Sequence, residues 1–446
     1  MGQPSTLPRA RLHGVRKGLV VTAAALLVAG CGLVSEAKRD DTTVASQMLR
    51  QDTITNADLW GLEPKMLAAG LGFTNIIGIP NLSTDNIELS RTLTRLAGGA
   101  WNTVQCAPGT SPQLVNFTSA ATPDAVANSY GQEVFYSDGL PIEFSWPILP
   151  SSLAASDFQV NLNDGSSVRP QVASIYPNME YNERSVAVIF GHFGNRISPT
   201  QPGALYPTSV DVVSDDSPLQ LVGPGGTLVS AVGLSARSSG SPYTDADVPP
   251  DKRGGPKLVG AKLTRMSTEG DAAPEAFSQN LPNDGVALYG DQAQFRLRTY
   301  TSGGMTADGV RGLWPTDYRR FFRLQAKSDS GQAVALTEVG KDYLVDGGRV
   351  RVVGLADLGK KQDSYDDCYV EDKDNYIDII LAGDAAAVAK ITTVEMPSAG
   401  EYDPVYNPGG PGNDPAPGVR YSAPSPPIAQ PVTVALDDPL TVSYQR

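Results

Sequence analysis

Ile142-Glu143-Phe144-Ser145-Trp146 and Phe158-Gln159-Val160-Asn161-Leu162 alternate apolar and polar residues, and the second run is followed at once by Asn163-Asp164-Gly165. Successive side chains of an extended strand point to opposite faces, so a period of two predicts strands with one apolar face each. Asn, Asp and Gly tolerate the positive φ of a tight hairpin turn, and Val168 resumes the pattern beyond it. Ser185-Val-Ala-Val-Ile-Phe190 is a continuous apolar run and reads as a more deeply buried strand. The same period returns in a second block. Phe295-Arg-Leu-Arg298 and Phe322-Arg-Leu-Gln325 alternate, Tyr343-Leu-Val345 and Arg349-Val-Arg-Val352 flank Asp346-Gly347-Gly348 as a hairpin, and Ile377–Leu381 and Ile391–Val394 complete a sheet. The expected fold class is mainly β.

Composition agrees with many turns and few long helices. Gly and Pro make 80 of the 446 residues, about 18% where about 12% is usual. Helical signals are confined to residues 56–125. Asn56 or Asp58 is placed to cap a short helix through Met66-Leu67. Ser83-Thr84-Asp85 precedes Ile87, Leu89, Leu93 and Leu96, with Gly98-Gly99 as a stop. Leu89, Leu93 and Leu96 stand at i, i+4 and i+7, an apolar stripe expected to pack on the body. The two β blocks span 126–235 and 257–400, joined by a linker or long loop over 236–256. Residues 401–446 read as a Pro/Gly-rich arm whose Pro431–Leu436 stretch returns as a strand.

The stretch Leu140-Pro-Ile-Glu-Phe-Ser-Trp-Pro-Ile-Leu-Pro-Ser-Ser-Leu-Ala-Ala-Ser-Asp-Phe-Gln-Val160, with Asn163-Asp164-Gly165 and the Val186–Phe190 strand, resembles bacterial Ig-like domains of envelope and surface-layer proteins. The likeness covers residues 140–200, about sixty, and Trp146 stands where that family usually has an acidic residue. The Val345–Val353 hairpin resembles the ends of such repeats. The resemblance implies an Ig-like β-sandwich over 126–235 and no catalytic residue.

Residues 1–30 carry Arg9, Arg11, Arg16 and Lys17, no acid, and an apolar run from Leu19 to Ala29. That run is too short to span a bilayer, which needs about 20 residues, and fits the core of a secretory signal peptide. Leu27-Val28-Ala29-Gly30-Cys31 resembles the lipobox of bacterial lipoproteins, with Val28 where the family favours Leu. The resemblance implies removal of residues 1–30, fatty acylation (palmitate) of Cys31, a lipid-proximal tether over 31–55, and anchorage in the bacterial cell envelope, facing periplasm or exterior. An ordinary secreted protein cut elsewhere and an uncleaved apolar anchor are the alternatives. The net charge of −13 becomes −17 without the first thirty residues. Such a surface repels nucleic acid and suits divalent cations or basic partners.

His192 is the one histidine beyond the signal segment, too little for a zinc site or, without a Gly-x-Ser-x-Gly elbow, for a serine triad. No catalytic or cofactor-binding residue is assigned. Cys106 and Cys368 either form one bridge or remain two separately buried thiols. The densest acidic stretch holds Asp363, Asp366, Asp367, Glu371, Asp372, Asp374 and Asp378. Asp372-Lys-Asp374 begins like an EF-hand but lacks its Gly and its final Glu. Two readings stay open: a calcium loop built from Asp366, Asp367, Glu371, Asp372 and Asp374, or a solvated acidic loop with Asp378 on the exposed face of a strand. The functional expectation is a lipid-anchored envelope protein with a structural, adhesion or scaffolding role. Its partners are then the membrane, through the anchor, and an envelope protein or glycan, with no nucleic acid. The alternative is an envelope enzyme acting on glycans through paired carboxylates, calcium-stabilised; a ligand-binding transport lipoprotein is a third option, disfavoured by the lack of helix–strand alternation.

Overall fold

The period-two runs form strands, and they assemble into two β-modules. A computed structural model describes residues 39–446 except 71, 110–111, 196, 198, 239–243, 246–247, 282–284, 373, 408–418 and 421–422. The expected signal peptide and Cys31 lie outside the described residues. Helices are few: α1 (Arg39–Met48), α2 (Ile87–Leu96), α3 (Pro123–Tyr130) and shorter turns.

In the first module β1 (Thr53–Asp58) leads to β2 (Met66–Ala69) and β3 (Phe73–Ile77), and β4 (Trp101–Gln105) pairs with β5 (Leu114–Thr118) as a hairpin. The Ile142 run lies in β6 (Ser137–Phe144) and the Phe158 run is β7 (Phe158–Leu162). Then come β8 (Ser167–Val168), β9 (Val172–Ser174), β10 (Val186–Gly191) and β11 (Pro207–Val212). The hairpin β12 (Gln220–Val222) and β13 (Leu228–Ser230) precedes β14 (Ser235–Arg237). One sheet runs β2-β6-β10-β9, with β3 also on β6, and the other runs β14-β11-β7-β8. Ile142, Phe144, Val186 and Ile189 of the first meet Phe158, Val160 and Val210 of the second in one core. Gly165 takes φ +86 in the β7–β8 turn, as the Asn-Asp-Gly signal requires.

After the short β15 (Thr244–Asp245), the second module contains β16 (Leu258–Arg265), β17 (Phe295–Thr301), β18 (Arg323–Lys327), β19 (Ala333–Leu336), β20 (Asp342–Val345) and β21 (Gly348–Ala356). It continues with β22 (Tyr376–Gly383), β23 (Ile391–Met396), β24 (Val419–Arg420), β25 (Ile428–Pro431) and β26 (Thr433–Val434), and the last strand, β27 (Thr441–Gln445), returns to pair with β1 of the first module. A six-stranded sheet, β20-β21-β22-β17-β16-β26, and a four-stranded one, β19-β18-β23-β25, share a second core that includes Leu263, Leu297, Leu324, Ile379 and Val394. Asp346 and Gly347 are both left-handed in the predicted β20–β21 hairpin, the backbone a two-residue turn demands.

Several expectations are corrected. The tether ends by Arg39: α1 buries Ala45, the following Leu49 is buried too, and β1 starts at Thr53. No helix forms from Asn56 to Leu67. Thr53, Ile54 and Thr55 are rich in β-branched side chains, and β1 pairs antiparallel with the far C-terminal β27, so non-local pairing overrides the capping signal. α2 forms where expected but rotated: Ser90 and Thr94 are buried and Leu93 packs partly on the first core, while Leu89 and Leu96 are 43% and 80% exposed. Ser90 Oγ accepts from Ser83 N and donates to Ser83 O, both at 2.8 Å, which commits the small polar face to the body. The linker narrows too, because β14 is paired with β11 at its start. The C-terminal arm supplies β25 and β26 to the second module and β27 to the first.

Cys106, just past β4, and Cys368 are joined by a disulfide across 262 residues, with Cα atoms 5.4 Å apart. The chain-entropy argument assigns such a closure about 5–6 kcal/mol, with native disulfides typically contributing 2–5 kcal/mol. The Cys106→Ser/Cys368→Ser double variant is therefore expected to lose about 2–5 kcal/mol in urea unfolding, and reducing the wild type should reproduce the loss. Asp157 opens β7 by accepting hydrogen bonds from Ala154 N at 2.7 Å and Leu219 N at 3.0 Å. Burial, reinforced by Asp215 and opposed by those N–H groups, pushes its pKa up to about 6. A carboxyl raised on folding contributes stability that is full below its unfolded pKa of about 4 and is lost as pH rises through about 6. Unfolding midpoints from pH 4 to 7 should carry this decline in the wild type, and Asp157→Asn should remove that component while lowering stability throughout.

Candidate functional site: a buried carboxylate cluster between the modules

Strand register determines what the six-stranded sheet presents to the first module. β16, β17 and β22 align Leu263 with Leu297 and Ile379, which face the second core. One residue along, Lys262, Arg298 and Asp378 form a row across the same three strands and point to the other face. That face is covered, not solvated: every residue of β17 is buried. Arg298, 2% exposed, reaches Asp378 at 2.9 Å, Asp357 at 2.9 Å, Glu183 at 3.3 Å and Asp58, at the end of β1, at 3.7 Å. Lys262 pairs with Asp58 and donates to Leu440 O at 2.8 Å. Burial works against the charge on Asp58, but Lys262, Arg298 and Arg296 hold its carboxyl below the usual range.

A neighbouring row, Gly260, Tyr300 and Tyr376, carries the aromatic part of the interface. The Tyr300 and Tyr376 rings are parallel with centroids 5.0 Å apart, and Trp60 from the first module stacks on Tyr300 at 4.9 Å. A Cβ on Gly260 would come within 2.6 Å of the Trp60 ring, so only glycine allows this approach. Tyr300 Oη donates to Ser185 O at 2.7 Å. Glu143, whose place in the alternation predicts solvent, is fully buried and accepts from Asn375 Nδ2 at 2.9 Å across the same interface.

Beside Arg298 the carboxylates gather. Glu180 and Glu183 sit in the segment between β9 and β10, which is pinned to the second module by Tyr181 N donating to Ala272 O and Asn182 N donating to Gly270 O. Asp357 follows β21 with φ +61, a left-handed conformation that Asp tolerates better than most side chains. Asp372 is placed by its N–H on Leu358 O, and Asp374 Oδ1 accepts from Tyr376 N at 2.7 Å. One carboxylate oxygen each from Glu180, Glu183 and Asp357 lie within 4.8 Å of one another. Burial raises the pKa of all three well above the ordinary carboxyl range, and like charges on their neighbours add to it. Asp372 and Asp374 are raised for the same reasons. Arg184 is a second buried guanidinium here, lowered by burial to about 10 and donating to Asn178 O at 3.3 Å. Carboxylates this close cannot all be ionised without compensation, so the cluster must share protons or hold a cation. An all-carboxylate donor set suits the hard cations Ca2+, Mg2+ and Mn2+ better than zinc or copper.

The acidic stretch read from the sequence is divided by the fold. Asp372 and Asp374 join the cluster and Glu371 is buried next to them. Asp367 faces solvent, and Asp366 Oδ1 accepts from Cys368 N, turning the chain at the disulfide. Asp378 is not on an exposed face: register sets it opposite Arg298, under the first module. His192 is exposed. Glu180, Glu183 and Asp357 escape sequence reasoning because nothing local distinguishes them. The one available hint is a polar segment with two acids, Met179-Glu180-Tyr181-Asn182-Glu183, between two apolar strands. Compared with known proteins, the chain matches no family model and no curated sequence.

Removing one partner of a buried charge network leaves the others uncompensated, which typically costs 3–5 kcal/mol. Arg298→Met strands Asp378, Asp357, Glu183 and Asp58. Its urea unfolding free energy at pH 7 is expected to fall by about that amount, whereas Lys341→Met, which breaks an exposed pair with Glu338, should leave the unfolding curve essentially unmoved.

Proposed function

We propose that the chain is a lipid-anchored protein of the bacterial cell envelope with a scaffolding or adhesion role, its two β-modules acting as one rigid body outside the membrane. The observation that carries this reading is the joint between the modules. The charged and aromatic rows of the second module's sheet are buried by the first, and each module's stability depends on the other's side chains. The disulfide adds a covalent tie across that long stretch of chain.

Glycoside hydrolysis needs two carboxyl groups about 5–10 Å apart with a sugar between them. Glu180, Glu183 and Asp357 instead have oxygens within 4.8 Å of one another and are at most 4% exposed, which favours the structural role over the enzymatic one. Anchorage rests on the basic head, apolar run and Gly30-Cys31. Among the described residues no helix is long and apolar enough to cross a membrane. Eight chain steps from Cys31 to α1 span at most about 28 Å, so in this reading the folded body stands close to the bilayer. The acidic surface favours a basic envelope protein or a cation-bridged glycan as partner, and disfavours nucleic acid.

Mass spectrometry of the mature N-terminus should find acylated Cys31, and Cys31→Ser should move the protein out of the membrane fraction. An unmodified start at another residue would overturn the anchor. Limited proteolysis under oxidising conditions should leave both modules in one resistant species; two independently surviving fragments would overturn the rigid body.

A further inference from the structure

We infer that Glu180, Glu183 and Asp357 bind one Ca2+ ion between the two modules, with Asp372 and Asp374 beside it. This site differs from the acidic loop visible in the sequence, since two of its ligands come from the first module and one from the second. It does not depend on lipid anchorage.

Three observations converge. Calcium bonds to oxygen at 2.3–2.6 Å, so one ion reaches oxygens up to about 4.6–5.2 Å apart. The three carboxylate oxygens lie within 4.8 Å of one another, close enough for small side-chain shifts to bring all three to one ion. Second, Glu180 Oε2 is buried at this centre and accepts no hydrogen bond, and Asp372 Oδ1 accepts none either. Buried carboxylate oxygens are ordinarily satisfied, so an unpartnered one on a residue grouped with two other buried carboxylates calls for a positive ligand.

Third, the local charges do not balance. Lys262 offsets Asp58 and Arg296 lies against Asp378. That leaves Arg298 and Arg184 to face Glu180, Glu183, Asp357, Asp372 and Asp374, with Glu371 buried beside them, so acids outnumber bases by at least three in a closed site that must share protons or take a cation. A divalent ion offsets two of those negative charges. Calcium fits better than magnesium because it accepts six to eight oxygens in irregular arrangements, whereas magnesium demands a near-ideal octahedron and keeps most of its water. Since the ion binds a pair of modules and not either alone, it acts as a clamp on their joint.

The test uses the full chain in detergent. Elemental analysis of the protein as purified, or equilibrium dialysis against Ca2+ after chelator treatment, should give one calcium per chain. Ca2+ should raise the melting temperature, because a ligand of the folded state alone must stabilise it. Glu180→Gln keeps the shape and removes one ligand charge; it should weaken calcium binding by about tenfold or more. Asp366→Asn/Asp367→Asn should leave binding unchanged. Tb3+ added to the wild type provides a readout that needs no variant: the Trp60–Tyr300–Tyr376 stack should sensitise its emission, and Ca2+ should quench it by displacement. No bound calcium together with identical melting curves in Ca2+ and chelator would overturn the proposal, as would wild-type affinity in Glu180→Gln or absence of sensitised Tb3+ emission. A soluble, unacylated protein that still binds calcium here would overturn the envelope anchor and leave this site standing.

Discussion

Arg298 is the group on which the arrangement of the two modules depends. It lies in the middle of β17, where register sends its neighbours Leu297 and Thr299 to the other side and leaves its guanidinium on a sheet face that is fully covered. A buried guanidinium is tolerable only with carboxylates around it. Those carboxylates come from both modules: Asp357 and Asp378 from the second, Asp58 and Glu183 from the first. Docking the modules therefore satisfies the charges that docking buries, and neither surface is suited to standing alone in the same conformation.

The aromatic row makes this joint dense as well as charged. Gly260 lets the Trp60 indole settle against the sheet, and the parallel Tyr300 and Tyr376 rings extend the contact, so Tyr300 and Tyr376 belong to the hydrophobic core of the first module although they are strands of the second. The C-terminal strands reinforce the same join, β26 beside β16 and β27 beside β1. An excess of acids over bases then remains on one side of Arg298. That excess is the feature that sets a candidate cation centre apart from an ordinary interface salt-bridge network.

Much of the β architecture was legible from local pattern. The Ile142 and Phe158 runs, the Asn163-Asp164-Gly165 turn and the Asp346-Gly347 hairpin depend on side-chain alternation and on backbone angles that few residues adopt, both of which are local properties. The errors have a common cause. Asn56 and Asp58 read as helix caps but lie in β1, which pairs with β27 nearly 400 residues away, and Met66-Leu67 lies in β2 on β6. In α2 the leucine stripe predicts the buried face, yet Ser90 closes on Ser83 and the helix is rotated so that Leu89 and Leu96 face outward and only Leu93 keeps contact with the core. Glu143, Arg296, Arg298 and Asp378 have the polar parity of solvent-facing strand residues, and they face another module. Alternation reports that a strand has two chemically distinct faces, and it is silent about what covers the polar one.

Composition, period and turn chemistry suffice for a mainly β chain with tight hairpins, a net negative charge, very little histidine and two cysteines beyond the lipobox-like start. Tertiary structure alone decided that Glu180, Glu183 and Asp357 share one buried centre, that Asp366 and Asp367 stay outside it, and that Cys106 meets Cys368. The physical reason is separation along the chain. Glu183 and Asp357 are brought together by the docking of two sheets whose contact depends on the complementarity of whole surfaces, and no spacing or periodicity in a linear sequence encodes that.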